Sequence, residues 1–339
     1  MASSKDVAKK AGVSQTTVSR VLNAPEQVRP ETRDKVLAAI AALNYVPDAN
    51  ARSLVQQKSY SISLISGGLE NPFFVDSTTE IINFANRAGY RVNVHFVGSD
   101  EVADAYDAAL ANKTDGLIMS CMLLDDPVVE RLEHLQLPFI SFNRRHREKG
   151  NYVEIDNLAA GKLAAEHLLA LGHRDILWIG AYPRVSTFAN RFLGYQSAMQ
   201  AAKSRFGETL RSRVINFKQL DRPDVFGLLE RLAQTDTMPS AICAATDAMA
   251  IDVLDALAAL DCSVPEQVSV IGIDNVRLSG SRLIELSTVG CAKGQILGFT
   301  AVQALFAMIE AKEDGRQLPE IRITEPVTLY ERRTTRALL

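Results

Sequence analysis

The side chains best suited to chemistry fall into two groups. In the first, Arg191 offers a fixed fork of donors, and Asp247 and Asp274 offer acceptor carboxylates. Each stands on a loop that follows an apolar strand-like run or at the start of the next helix, as do Asn71, Phe73, Phe74, Asn143 and Arg144. Carboxylates that accept from hydroxyls, with a guanidinium that donates, are the chemistry of sugar recognition. In the second group, Gln15, Thr16, Ser19 and Arg20 crowd one short segment, and all four can hydrogen-bond to bases or phosphates. Arg20 is suited to a bidentate contact with guanine. Plainer readings stay open: a post-strand aspartate can cap the next helix, Phe73 and Phe74 can be core residues, and Arg145 and Arg147 can belong to a solvated loop.

Catalysis finds little support. There is no G-x-S-x-G elbow, no phosphate loop and no G-x-G-x-x-G, so no enzyme activity and no cofactor are expected. The cysteines, Cys121, Cys243, Cys262 and Cys291, form no C-x-x-C pair, and the five histidines lack metal-ligand spacing, so neither a metal nor a disulfide is expected. The chain starts without a basic and apolar leader and has no apolar run of membrane-spanning length, which reads as a cytoplasmic protein.

Charge is unevenly distributed. Residues 1–60 carry nine Lys or Arg against five Asp or Glu, and the remainder carries 28 against 35, so a basic head precedes an acidic body. In the head, Lys5 to Ala11 reads as a helix capped by Ser3 or Ser4 and stopped by Gly12. Gln15 to Leu22 reads as a second helix with Ser14 as its cap. The short turn between them is that of a helix-turn-helix, with Ala8 small enough for a close crossing. Pro30 opens a third helix, ending near Asn44, that contributes Val36, Leu37, Ile40 and Leu43 to a three-helix core. After Pro47 the segment Asp48 to Leu54 has helical spacing but little to bury, so it would fold only against a partner or DNA. Leu54 could wedge into a minor-groove base step.

The body alternates strand and helix. One series runs Ser61–Ser66, a helix to about Ala88, Arg91–Phe96, Glu101–Ala111, Leu117–Ser120, Pro127–Leu135 and Phe139–Phe142. A second runs Asn157–Leu171, Ile176–Ile179, Thr187–Ala202, Val214–Phe217, Asp224–Ala233, Ala241–Ala244, Ala248–Leu260 and Val268–Ile273. The expected fold is an all-α helix-turn-helix head plus an α/β core of two doubly wound parallel-sheet lobes, with a ligand cleft beyond the strand carboxyl ends.

The segments KDVAKKAGVSQTTVSRVLN, VRPETRDKVLAAIAALNYVPDANARSL and NPFF resemble the lac-repressor/gal-repressor family of bacterial transcription regulators, and the match continues through R-x-x-G-Y at Arg191, TDAMA and IGIDN. The resemblance implies that Gln15, Thr16 and Arg20 read bases and that Asn50, Arg52 and Leu54 belong to a hinge helix with a minor-groove leucine. It also implies a core like that of periplasmic binding proteins, and an effector held by Asn71, Phe73, Phe74, Asn143, Arg144, Arg191, Asp247 and Asp274. Three chain crossings between lobes are expected near Asp156–Asn157, Val289–Gly290 and Glu320–Arg322. The implied layout is a DNA-binding domain at 1–46, a hinge and linker at 47–60, and a core at 61–339. In that core the N-lobe takes about 61–156 and 290–320, and the C-lobe about 157–289 and 321–339. Arg29, Thr246 and Cys291 depart from common family residues. The function implied is a repressor whose operator affinity is set by a sugar, sugar acid or phosphosugar, the alternative being a nucleobase or other non-sugar corepressor. Arg144, Arg145 and Arg191 together suggest an anionic ligand. The absence of an appended heptad after Leu339 points to a homodimer on operator double-stranded DNA.

Overall fold

The computed structural model describes residues 2–46, 58–98, 102–181, 184–217, 222–292, 294 and 296–338. The chain divides into two compact units, Met1–Ser59 and Tyr60–Leu339.

In the first unit α1 (Ser4–Ala11) starts with a capping box: Asp6 N–H donates to Ser3 Oγ, and Ser3 N–H donates to Asp6 Oδ2 at 2.8 Å. Gly12 ends it at φ 65°, a conformation that favours glycine, and α2 (Gln15–Asn23) follows at once under its Ser14 cap. Pro30 occupies the first turn of α3 (Pro30–Ala42), where a missing N–H costs nothing. Arg29 precedes it without capping it through its side chain. Val7, Ala8, Val18, Val21, Val36 and Ala39 form the core, with Ile40 and Leu43 packed against it. Leu37, expected in this core, is 47% exposed. A helix turns about 100° per residue, so a stripe through positions 36, 39/40 and 43 leaves position 37 on its flank, and so small a core has no second wall to cover it.

The second unit holds two sheets. Among the described residues one has the order β11-β5-β4-β3-β1-β2 and the other β12-β10-β9-β8-β6-β7. The first comprises β1 (Ser61–Ser66), β2 (Arg91–Phe96), β3 (Gly116–Met119), β4 (Phe139–Phe142), β5 (Tyr152–Ile155) and β11 (Arg322–Glu325), all paired in parallel. The second comprises β6 (Asp175–Ala181), β7 (Arg211–Phe217), β8 (Ala241–Ala244), β9 (Ser269–Ile273), β10 (Ser287–Cys291) and β12 (Val327–Tyr330), in which only β12 runs antiparallel. The strands joined by helices repeat the same doubly wound order in each sheet, so each lobe has a switch point, at β1/β3 and at β6/β8, beyond which a ligand crevice opens. The strands β5, β10, β11 and β12 were not read from the sequence. Neither was the long helix over 297–313, whose sequence is apolar on nearly every face because it is buried on nearly every face.

Helices α4 (Pro72–Arg87), α5 (Val102–Ala111) and α6 (Val128–His134) cover the first sheet. Helices α7 (Asn157–Ala170), α8 (Ser186–Phe206), α9 (Arg222–Gln234) and α10 (Asp247–Ala259) belong with the second, and α11 (Leu297–Glu313) returns to pack on α4, β3, β4 and β5. The chain therefore passes between lobes at Asp156, at 292–296 and at Pro326. The second and third crossings lie later than the expected Val289–Gly290 and Glu320–Arg322. Backbone pairing decides this: Gly290 and Cys291 still pair with Thr328 and Val327, and Arg322 to Glu325 still pair with Tyr152 to Ile155.

Candidate functional site

Arg191 is the centre of the site. It lies on α8, which crosses α7 at close range: a Cβ on Gly161 would meet the Arg191 carbonyl oxygen at 1.9 Å, and one on Gly194 would meet the Leu158 carbonyl oxygen at 2.0 Å. This crossing presses the guanidinium against the ends of β8 and β9. Its Nε donates to Asn157 Oδ1 at 2.9 Å, Nη1 to the Ala245 carbonyl at 2.7 Å and Nη2 to Asp274 Oδ1 at 2.6 Å. Three of its five N–H groups are thereby committed within the chain, leaving one on each Nη.

Asp274 occupies a strained turn after β9, with φ of 135° at Asp274 and 51° at Asn275. Asp274 N–H donates to the Val289 carbonyl at 2.8 Å, and Val276 N–H donates to Asp247 Oδ2 at 3.0 Å. Asp247 also accepts from the Ser279 and Thr288 hydroxyls. Burial and the neighbouring Asp274 charge raise the Asp247 carboxyl to about 6, partly offset by these three donors. Burial raises Asp274 as well, against the opposing pull of Arg191.

A cavity is lined by Phe73, Asp76, Ser77, Asn143, Ile155, Arg191, Asp274, Asn275, Val276, Cys291, Gly294, Ile296 and Leu297. A smaller one shares Phe73, Asn143, Arg191 and Asp274 and adds Asn71, Phe74, Arg144, Thr187, Phe188 and Thr246. The structure thus brings seven of the eight expected residues together. Asn71 serves twice, since its Oδ1 also accepts from Phe73 N–H and caps α4. Phe73 stacks on Phe142 at 6.1 Å and meets Phe74 edge-on at 5.4 Å. Asn143 sits at φ 65°, which asparagine tolerates better than most residues, and is 9% exposed.

Asp247 is the exception and corrects the expectation. It borders neither cavity, and both its oxygens are occupied beneath the 274–276 turn. Thr246 borders the smaller cavity in its place while capping α10 through Met249 N–H at 3.2 Å. Arg145 is also withdrawn, donating to Glu154 at 2.7 Å and lying over the Tyr152 ring, and Arg147 pairs with Asp125. Two lining residues missed in the sequence had a usable signal, because Asp76 and Ser77 follow Phe73 at i+3 and i+4 on one helix face. Ile155, Ile296 and Leu297 had none, since they converge only through the lobe crossings.

Two sets of bonds span the cleft. Asp76 Oδ2 accepts from Arg277 N–H at 2.8 Å, and Ser186 Oγ accepts from Arg145 N–H at 2.9 Å while the Thr187 hydroxyl donates to the Asn143 carbonyl.

In the head, Val18 and Val21 face the core, so Gln15, Thr16, Ser19 and Arg20 are left on the exposed side of α2. Gln15 Nε2 donates to Ser4 Oγ at 2.8 Å, which orients it against the start of α1. Asn50, Arg52 and Leu54 lie outside the described residues. Among the described residues no helix is long and apolar enough to cross a membrane, and no group of three or more His, Cys, Asp or Glu is placed to hold a metal ion.

The profile of bacterial regulatory proteins of the lacI family matches residues 4–48, and that of the periplasmic binding protein-like domain matches residues 165–335. The HTH-type transcriptional repressor PurR of Erwinia tasmaniensis is 32% identical over 342 residues, covering 98% of this chain and 97% of its own. The Lac repressor dimer bound to operator and the anti-inducer ONPF superposes with a TM-score of 0.80 at 26% identity, covering 99% of each chain. A complex of the transcriptional regulator CelR with cellobiose gives 0.67 at 25% identity, over 98% of this chain and 100% of that one.

Proposed function

The chain belongs to the lacI family of bacterial regulatory proteins and is a DNA-binding transcriptional repressor with a ligand-binding core, and on that premise we propose that its effector is a sugar-like molecule bound between the lobes. The observation that carries this reading is the Arg191–Asp274 pair at the cavity wall beside Asn143 and the Phe73 ring. Donor, acceptor, amide and apolar ring face together suit a hydroxylated ring. The pair is neutral overall and Arg145 is engaged by Glu154, which favours an uncharged sugar over a sugar acid or phosphosugar. Arg144 is the remaining cation at the smaller cavity through which an anion would bind. The flat Phe73 ring supports a nucleobase corepressor as a second reading, in which the base stacks on it.

In this reading Gln15, Thr16, Ser19 and Arg20 contact the operator major groove. Asn50, Arg52 and Leu54, for which the family resemblance is the support, act at the minor groove. A homodimer on a near-palindromic operator gives useful specificity, because one short helix offers too little contact. The working division is a head at 1–46, a hinge and linker at 47–60 and a core from 61, with lobe boundaries at Asp156, 292–296 and Pro326. Effector binding changes the lobe angle about those crossings and thereby operator affinity.

The test is selection of an operator from random palindromic duplexes, followed by anisotropy titration with neutral sugars, sugar acids and nucleobases. A neutral sugar that shifts operator affinity supports the reading. A shift by nucleobases alone replaces it with the second.

A further inference from the structure

Ser77 lies on the second turn of α4, on the same face as Phe73, and borders the larger cavity. It is fully buried, yet its Oγ makes no hydrogen bond within the chain, not even to the carbonyl one turn back. That carbonyl is the usual refuge of a helical serine. A buried hydroxyl without a partner is costly, so its retention calls for an explanation.

Packing explains only half of it. Helix α11 crosses α4 here so closely that a Cβ on Gly298 would lie 2.7 Å from the Ser77 carbonyl oxygen and 2.9 Å from Ser77 Cβ. The crossing demands a small residue at 77 but not a hydroxyl, and alanine would meet that demand without burying a polar atom. Ser63 Oγ, Ser66 Oγ, Thr78 Oγ1 and His95 Nε2 are similarly without partners, but none of those residues borders the cavity. Around Ser77 the wall is apolar, formed by Ile155, Cys291, Ile296 and Leu297. The described polar groups that would hold a ring from the other side, Arg191 and Asp274, belong to the opposite lobe.

We propose that Ser77 is a specificity-determining contact of the effector cavity, exchanging a hydrogen bond with one hydroxyl of an uncharged polyol ring whose other edge is held by Arg191 and Asp274. The inference rests on the sugar-like reading above and deepens it. It names a ligand with hydroxyls on two edges and adds Ser77 to Asn143 as a polar hold from the N-lobe. A ligand bonded to both lobes stabilises the closed cleft, and each added bond from the N-lobe strengthens that bias.

The experiment uses full-length protein, with D-ribose, D-xylose, D-glucose and D-galactose as probes, titrated by calorimetry into wild type, Ser77→Ala, Ser77→Cys and Arg191→Ala. The best-binding sugar is then followed through its monodeoxy series. We expect Ser77→Ala and Ser77→Cys to bind about tenfold more weakly, with the ligand-free melting temperature equal to or above wild type. One deoxy position should weaken binding to wild type and cause no further loss in Ser77→Ala, the signature of a direct pairwise contact. If Ser77→Ala binds like wild type while Arg191→Ala does not, the sugar-like reading stands and the role of Ser77 is overturned. If wild type binds none of the probes, the polyol reading falls and this assignment falls with it.

Discussion

Arg191 and Asp274 form an ion pair at 2.6 Å with side chains only 1% and 4% exposed, and Arg191 also satisfies Asn157 and the Ala245 carbonyl. The pair ties α8 to the turn after β9, so the residues offered to a ligand also hold the C-lobe together. Arg191→Ala strands a buried carboxylate, a buried amide oxygen and a carbonyl at once. Its expected cost is about 3–5 kcal/mol. Urea unfolding should register that loss along with abolished effector binding, and an unchanged midpoint would show that the pair is dispensable for folding.

Asp247 braces that same turn, and its carboxyl is raised from an ordinary 3.8 to about 6 by burial and by Asp274. With the folded value above the unfolded one, the folded state holds more protons between those limits, so this group's contribution to stability falls as pH rises from about 4 through 6. The full penalty above that range is roughly 3 kcal/mol. Asp247→Asn keeps an oxygen for Val276 N–H and the Ser279 hydroxyl, and the Thr288 hydroxyl can turn to accept from the new amide N–H. Its melting temperature should gain on wild type at pH 7 relative to pH 4. An identical difference at both values counts against a titrating Asp247.

His173 gives the opposite slope. Its ring nitrogens meet Ser240 Oγ and the Arg336 carbonyl, and burial lowers its pKa below 6.5. The unfolded state takes the proton first, so stability is lost as pH falls below 6.5 through the lowered folded value. His173→Gln should flatten the acid side of the stability profile. Amide exchange in the C-terminal segment 334–338 should speed up on acidification in wild type but not in the variant.

Asp76 and Arg277 join the lobes across the cleft through a 2.8 Å bond to backbone N–H and a looser contact to the exposed guanidinium. Asp76→Ala should weaken the closed arrangement by about 1 kcal/mol, most of it from the backbone bond. The expected readouts are a several-fold weaker effector affinity and faster amide exchange at 276–280. Effector affinity equal to wild type would mean that this bond does not bias closure.

On α2, Arg20→Ala should relax preference at one base pair by about 1–3 kcal/mol. Gln15→Ala also removes the bond to Ser4 Oγ and should lower both specificity and head stability. Competition binding against single-position operator variants separates the two, since loss of a phosphate contact would weaken all sequences alike.

Local chemistry was legible in the chain itself. Ser3, Gly12, Ser14 and Pro30 act within a few residues of where they stand, so the helix-turn-helix could be read from caps, turn and spacing. The alternation of apolar strands with helices likewise announced two parallel α/β lobes, and of the eight effector residues expected from the sequence seven border the two cavities. What the tertiary structure alone decided concerns partners distant in sequence. Asp247 is kept from the cavity because Ser279, Thr288 and Val276 fold over it, and nothing at position 247 foretells that. The crossings at 292–296 and Pro326 are set by ladders between strands more than thirty residues apart. Ser77 becomes a buried hydroxyl at a cavity wall only because Gly298 brings α11 against it. Periodicity and capping are short-range consequences of backbone geometry, whereas burial and pairing depend on which surfaces meet, and a linear chain does not display its own contacts.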